Sequence, residues 1–429
     1  MALNKGQQNA KDIIMGLVES HPSVDDRYCM FFGPAGTGKT YTFVDIIKSL
    51  PSHLQIGLTA PTHKAVKVMR AMAYKAGIDK DVDIRTIHSV LGLSMKQVEN
   101  VEVLYRDDMI DEKYYDILFV DESSMIGKDL ASYIIESESK VIVFVGDRRQ
   151  INPVDAEDGE LSVVFDIERK AELTQIMRQG DGNPIIDIAE KLALCQDDDW
   201  SGWPEIKTKL NDDGSGVNVL ARGRWFGEAI EIFKSPKFKA NPDHCRCITY
   251  TNDSVDVINR KIREHIHGKD VANYLVGEIL VAQSAGKLHK NAEEVKIMSI
   301  EETLDEEYKI PCYEMTLISL DTDGMYRVNV LKPESVAIFQ NKLDEYANLA
   351  RNIDVANKRK HWANFWGLRK TFNEFKHIYA MTAHKSQGST FDHSFVYTPN
   401  FLRFGETKQM KQLMYTATTR ASFRTTFAH

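Results

Sequence analysis

The stretch Arg27-Tyr-Cys-Met-Phe-Phe-Gly33-Pro-Ala-Gly36-Thr-Gly38-Lys39-Thr40 constrains the fold of this chain more than any other. A short apolar strand over 28–32 runs into a glycine-rich turn, and a helix is predicted to begin at Lys39. That order satisfies G-x-x-x-x-G-K-[ST], a loop whose backbone N–H groups converge on phosphate oxygens, in the strand–loop–helix setting the motif requires. Gly36 and Gly38 let the backbone turn inward, and the helix N-terminus adds its positive dipole end. Gly33, Pro34, Ala35, Gly36, Thr37, Gly38, Lys39 and Thr40 are therefore expected to cradle a nucleoside triphosphate. Lys39 should reach the β- and γ-phosphates, and the Thr40 hydroxyl should hold Mg²⁺. The loop does not say what the nucleotide drives.

Bulk properties narrow the class. At 429 residues the chain is too long for a single core, and about two to four domains are expected. A hydrophobic content of 43% with 27% charged residues is that of an ordinary globular protein, which excludes a disordered or fibrous chain. No run approaches a membrane span, and the first residues lack the charged-then-apolar order of a secretory signal. Of five cysteines only Cys245 and Cys247 lie close together, so two buried thiols on a strand are expected rather than a disulfide framework or a metal cage. That usage points to a reducing cytoplasm. The net charge of −8 argues against coating nucleic acid by bulk attraction and leaves room for a local basic groove.

Ahead of the loop, Ile13, Ile14, Leu17 and Val18 share one helical face, while Gln7 and Gln8 read as solvated helix residues. After it, 54–60 is a second apolar strand and Pro61-Thr62-His63 opens another helix. Short strands alternating with helices indicate a parallel α/β sheet. Residues 94–110 break the alternation: Val101, Val103 and Tyr105 alternate with Glu102 and Leu104. Such a small two-stranded excursion must lean on the core. The strand 115–120 then ends in adjacent carboxylates, Asp121 and Glu122. Beside a phosphate loop this is where a metal-holding Asp belongs, with the next Glu placed to orient or deprotonate water. Without the loop it would read as an acidic helix cap. Residues 141–147 repeat the pattern, and the Gln150 amide beyond could sense a γ-phosphate or face solvent.

The second half starts with a loop-like stretch over 195–216, rich in Asp, Gly and Ser. A new α/β pattern begins at Arg246-Cys-Ile-Thr-Tyr-Thr-Asn252. Residues 276–340 change to short β-like runs separated by turns, a small barrel or meander. Over 351–376, seven Lys and Arg face only Asp354 and Glu374, with Trp362, Phe365, Trp366, Phe372 and Phe375 interleaved. That mixture suits stacking along a single nucleic-acid strand, or a helical pair with its aromatics inside and its cations outside.

Taken in order, these motifs resemble those of superfamily 1 helicases, in particular the RecD-like branch. Gly33 to Thr40 resembles motif I, Thr59 to Ala65 motif Ia, Thr86 to Ser89 motif Ib and Asp121 to Met125 motif II. Gly146 to Val154 is similar to motif III, Met381 to Thr390 to motif V and Leu413 to Ala421 to motif VI. Motif III departs mildly, with Ile151-Asn152-Pro153 where many relatives carry Leu-Pro-Pro. The resemblance implies an α/β fold of two RecA-like parallel-sheet P-loop cores, with an inserted β-hairpin (the pin) and an inserted small SH3-like β domain. It divides the chain into a first core (1–93 and 111–178), the pin (94–110), a second core (179–275 and 377–429) and the SH3-like insertion with a bracing segment (276–376). By the same likeness Gln7 reads adenine, Gly388 borders the nucleotide, and Arg178 and Arg420 reach the γ-phosphate. Pro61, Thr62, His63, Thr86, His88, Asn252, His384 and Lys385 match DNA-contacting positions, and Tyr105 falls where an aromatic pin tip is expected.

The activity so implied is that of an ATP-dependent, Mg²⁺-requiring DNA helicase in replication, recombination or repair, moving 5′ to 3′ along single-stranded DNA. Its partners would be single strands, strand–duplex junctions and a single-strand-binding protein or replisome components, with no membrane and a monomeric state. Host cytoplasm would follow if a phage encodes it. A translocase that strips bound proteins, an RNA helicase, and a nucleotide-dependent switch or kinase are the competing readings; the Arg420 and His384–Gly388 motifs speak against the last.

Overall fold

The computed structural model describes residues 3–20, 22–24, 26–98, 101–107, 109–153, 161–175, 183–196, 202–286, 288–352 and 355–429. Runs that are apolar on both faces become central strands, because a parallel sheet is covered on both sides. All four residues of Ile117–Val120 and all six of Val141–Gly146 are buried. The first sheet has the order Val82–Thr86, Ile56–Ala60, Ile117–Val120, Val141–Gly146, Tyr28–Phe32, Lys170–Glu172, parallel throughout. Side chains alternate across it: Phe31, Val143 and Val145 pack under the helices Lys5–Ser20, Lys39–Ser49 and His63–Ala76. Met30, Phe32, Ile142 and Phe144 face the helices Ile87–Val90 and Lys128–Ile135.

The second sheet has the order Ala380–Thr382, Cys245–Thr249, Phe391–Val396, Ala421–Ala428, Gly216–Leu220, Lys209–Leu210. Its central pairs are parallel and Lys209–Leu210 closes one edge antiparallel. The helix Lys408–Thr418 is buried from Met410 onward, and Trp225 anchors the opposite face by donating from Nε1 to Thr426 O at 3.1 Å. Cys245 and Cys247 are free and fully buried, as their apolar neighbours imply, and burial pushes both thiols up. Both sheets belong to one compact unit, residues 1–255 and 381–429. Two parallel-sheet cores are thus realised, in agreement with the sequence reading.

A two-stranded hairpin, Leu93–Val98 with Val101–Arg106, leaves the first core. Its register corrects the expectation for Tyr105. Leu93 pairs with Arg106 and Ser94 with Tyr105, while Val98 pairs with Val101 at the far end. Tyr105 therefore sits beside the base of the hairpin, where Ser94 Oγ donates to Asp107 at 3.2 Å and Arg106 donates to Glu112 at 2.8 Å. The pairing of Val98 with Val101 fixes every pair behind it, and residue alternation alone did not locate that register.

The second compact unit, residues 256–380, holds a five-stranded antiparallel sheet. Its order is Met325–Leu331, Pro311–Ser319, Glu294–Leu304, Ile279–Ala282, Phe375–His377, around a core of Leu280, Val295, Ile297, Met315, Leu317 and Val328. The helices Val336–Asn352 and Val355–Thr371 lie against this unit. Leu368 and Phe372 are buried and Phe365 is partly so, while Lys358, Arg359, Lys360, Arg369 and Lys370 are exposed. The basic and aromatic segment is thus a helical pair in which Phe365 and Phe372 pack into the core while Trp362 and Trp366 stay half-buried. Among the described residues no helix is long and apolar enough to cross a membrane.

Candidate functional site

The phosphate loop follows the C-terminal end of Tyr28–Phe32, the edge of a parallel sheet where ligands bind. Gly36 (φ 89°) and Gly38 (φ 77°) occupy left-handed backbone that a side chain would strain. The loop is braced from within: Thr37 Oγ1 donates to Pro34 O at 2.9 Å, and Lys39 Nζ donates to Gly33 O at 2.6 Å and Pro34 O at 3.0 Å. Gln7 lies behind it, fully buried, donating from Nε2 to Thr37 O at 3.2 Å and accepting the Asn4 N–H at 3.0 Å. Gln7 supports the loop and is not among the residues that line the adjoining cavity. Its burial shows that composition alone, which made it a solvated residue, was a poor guide.

That cavity, of about 610 Å³, is lined by both cores. From the first come Gly36, Gly38, Lys39, Thr40, Asp121, Glu122 and Gln150; from the second come Gly388 and Arg420. Asp121 Oδ1 accepts the Glu122 N–H at 2.8 Å, and Glu122 itself adopts φ 53°, left-handed backbone in a non-glycine residue. Burial and then the Glu122 charge push the Asp121 carboxyl up to about 7, opposed by that backbone N–H and by Lys39. Asp121 and the Thr40 hydroxyl both line this cavity, and together they are hard oxygen donors of the kind that suits a divalent cation. Gln150 is 5% exposed and its Oε1 has no hydrogen-bond partner, so a buried acceptor waits at the cavity wall. An apolar wall of Tyr41, Val44, Val68, Met69 and Met72 completes it.

Arg420 is held by its own core: Nε donates to Thr416 O at 3.0 Å, Nη1 to Ser389 O at 3.3 Å and Nη2 to Thr419 Oγ1 at 3.2 Å. At Gly388 (φ 69°) the backbone passes so close to the first core that an added Cβ would lie 3.0 Å from Ala65 Cβ. Further side chains join the cores. Tyr415 donates to Asp147 at 2.8 Å, Gln387 to Ile151 O at 3.3 Å and Gln412 to Asn152 Oδ1 at 3.3 Å. Lys64 lies 3.4 Å from Asp243 and 5.0 Å above the Phe391 ring. None of these was given a role on sequence grounds.

Arg178 and Val154 lie outside the described residues. The residues expected to touch DNA gather at strand ends. Pro61 and Thr62 follow Ile56–Ala60, and Thr86 ends the neighbouring strand. Both threonines are helix caps, Thr62 Oγ1 accepting the Ala65 N–H at 3.2 Å and Thr86 Oγ1 the Ser89 N–H at 3.3 Å. His63 is exposed, and His88 is half-buried with its pKa lowered by burial. In the second core Asn252 is exposed at a helix start and Lys385 is half-buried. The His384 ring, its pKa also lowered by burial, lies 6.1 Å from that of Tyr250.

A phosphate loop, paired carboxylates, a waiting glutamine and an arginine from a second parallel-sheet core define a P-loop NTPase with two RecA-like cores. Residues 2–200 match the AAA domain family, 272–377 the Dda helicase SH3 domain and 377–424 the UvrD-like helicase C-terminal domain. The chain resembles superfamily 1 helicases of the RecD-like branch, and it is similar to the ATP-dependent DNA helicase dda of Enterobacteria phage T4. The likeness to that protein is 28% identity over 98% of each chain. The ATP-dependent RecD2 DNA helicase of Deinococcus radiodurans is 30% identical over 49% of this chain and 29% of its own length. A solved structure titled as the basis for DNA unwinding at forked dsDNA by two coordinating Pif1 helicases shares the fold at TM-score 0.53. It is 16% identical, covering 99% of this chain and 92% of that one.

Proposed function

We propose that the chain is an ATP-driven DNA helicase that couples closure of its two cores to movement along a single strand. The observation that carries this is the cavity lined by Lys39, Asp121, Glu122 and Gln150 of one core and Arg420 of the other. A hydrolytic site completed across two bodies changes their spacing as it turns over. Loop N–H groups and Lys39 hold the triphosphate, and Glu122 accepts the proton of an in-line water as the bond from γ-phosphorus to the bridging oxygen breaks. Gln150 orients that water or the γ-phosphate, and Arg420, released from its carbonyls, neutralises developing charge. Arg178 is assigned the same task on family resemblance, and Gln7, behind the loop, the adenine. Thr40 and Asp121 would hold Mg²⁺, which would offset the negative charge of the phosphates.

Pro61, Thr62, His63, Thr86 and His88 of the first core, with Asn252, His384 and Lys385 of the second, are the proposed track for the strand. Duplex stacking is worth roughly 1.4 kcal/mol per step, well within one hydrolysis. Movement 5′ to 3′ is carried over from the RecD-like resemblance, and a monomeric state, a single-strand-binding protein as partner and, if a phage encodes the chain, residence in a host cytoplasm are proposed with it. The position of Tyr105 at the hairpin base favours keeping a second reading, a translocase that displaces bound proteins without obligatory unwinding.

ATP turnover with and without oligonucleotide, beside unwinding of tailed duplexes of both polarities in DNA and RNA, tests the proposal. DNA-stimulated turnover that Lys39→Ala abolishes, with unwinding from a 5′ tail, is the expected result. Turnover indifferent to oligonucleotide would point to a switch or kinase, and streptavidin displacement without strand separation to the translocase.

A further inference from the structure

Among the described side chains that join the cores, Tyr415 reaches the phosphate loop itself. It lies on the helix Lys408–Thr418 and is 1% exposed. Its hydroxyl donates to Asp147 Oδ2 at 2.8 Å and accepts the Ala35 N–H at 3.1 Å. The second oxygen of Asp147 accepts the Arg149 N–H at 2.9 Å, so the carboxylate is gripped from both sides. Burial and the Asp147 charge push the phenol well above its ordinary range, which keeps it a donor. The same helix leads directly to Arg420, whose Nε donates to Thr416 O, the carbonyl of the next residue after Tyr415. One hydroxyl thus ties the loop that holds the phosphates to the helix turn that aims the arginine.

We infer that Tyr415 is a positioning residue: its bridge from Ala35 to Asp147 sets the Arg420 turn in register with the phosphate loop. A rearrangement of the loop on nucleotide binding or release is passed through this hydroxyl to the second core. This rests on the reading of Arg420 as the group that reaches the γ-phosphate. Phenylalanine would fill the same volume but leave Asp147 Oδ2 and the Ala35 N–H without their partner, so the turn would lose its register while the core kept its packing. Misplacing a reacting group by about 1 Å costs on the order of 10²-fold in rate.

The test is a double-mutant cycle of Tyr415→Phe and Arg420→Ala, read as kcat and KM of oligonucleotide-stimulated ATP turnover. Tyr415→Phe is expected to lower kcat by roughly 10- to 100-fold with KM for ATP within about twofold. In the Arg420→Ala background it should cost nothing further, because the arginine it positions is gone. Multiplicative losses, as from general destabilisation, or an unchanged kcat for Tyr415→Phe would overturn the inference. Should Tyr415→Phe not fold, Asp147→Asn tests the same bridge, and the same non-additivity with Arg420→Ala is expected. A wild-type chain lacking oligonucleotide-stimulated turnover would instead defeat the helicase reading before any variant is compared.

Discussion

Glu122 holds left-handed backbone at φ 53° directly after the strand Ile117–Val120. A non-glycine residue kept there costs on the order of 1–3 kcal/mol, and such strain concentrates where a side chain must be aimed. Here it turns the carboxylate into the cavity that Lys39 and Gln150 border. Replacement by the isosteric amide, Glu122→Gln, should keep nucleotide binding and lower turnover by about 10²- to 10⁴-fold. Fluorescent-nucleotide titration beside steady-state ATPase separates the two, and equal loss of both would assign Glu122 to binding. Gln150 carries a buried acceptor with no partner, so Gln150→Leu removes an unmet polar group. The expected pattern is an unchanged or higher melting temperature together with slower turnover. A clear drop in stability would mean that the amide is structural.

At the scale of elements, caps and registers decide what a residue can do. Thr62 closes the N-terminus of His63–Ala76, whose buried stripe of Ala65, Val66, Met69 and Ala73 packs on the first sheet. Thr62→Ala should therefore cost about 1 kcal/mol of stability and Thr62→Ser should restore it, as measured by chemical denaturation. Weakened oligonucleotide binding at unchanged stability would instead make the hydroxyl a strand contact alone. Tyr105, at the hairpin base, is expected to act through the hairpin's attachment, so Tyr105→Ala should lower unwinding and melting temperature together. Selective loss of unwinding at full stability would restore a wedge role. The phosphate loop, the carboxylate pair and the strand–helix alternation were legible in sequence because each is a local pattern of a few residues. The hairpin register was not, because alternation fits several pairings equally well and only the Val98–Val101 pair selects one. Tyr415 and Lys64 were not, because their partners lie far along the chain: Ala35 is 380 positions from Tyr415 and Asp243 is 179 from Lys64.

The whole molecule combines two units with separate sources of stability. In residues 256–380, Arg263 grips Glu278 with bonds of 2.7 and 3.0 Å, and His267 and His377 each lie 3.5 Å from its carboxylate. Burial alone would raise that carboxyl, but contacts from His377 and Arg263 outweigh it and hold the pKa at about 2, against an ordinary 4.5. A depressed folded-state pKa stabilises at pH above the ordinary value, and the stabilisation drains away as pH falls from there toward 2. Thermal melts over that window should show the wild-type chain losing stability and Glu278→Gln showing a flatter acid limb from a lower plateau. Identical limbs would remove Glu278 as the acid-sensitive group. The unit of residues 1–255 and 381–429 carries the central claim, that one nucleotide is worked on by both cores. Single-turnover ATP hydrolysis by Arg420→Ala with saturating single-stranded DNA tests it most directly. The account predicts a fall of about 10³-fold or more with nucleotide affinity nearly unchanged. Hydrolysis at the wild-type rate would contradict it, leaving the phosphate loop as a site that the first core works alone.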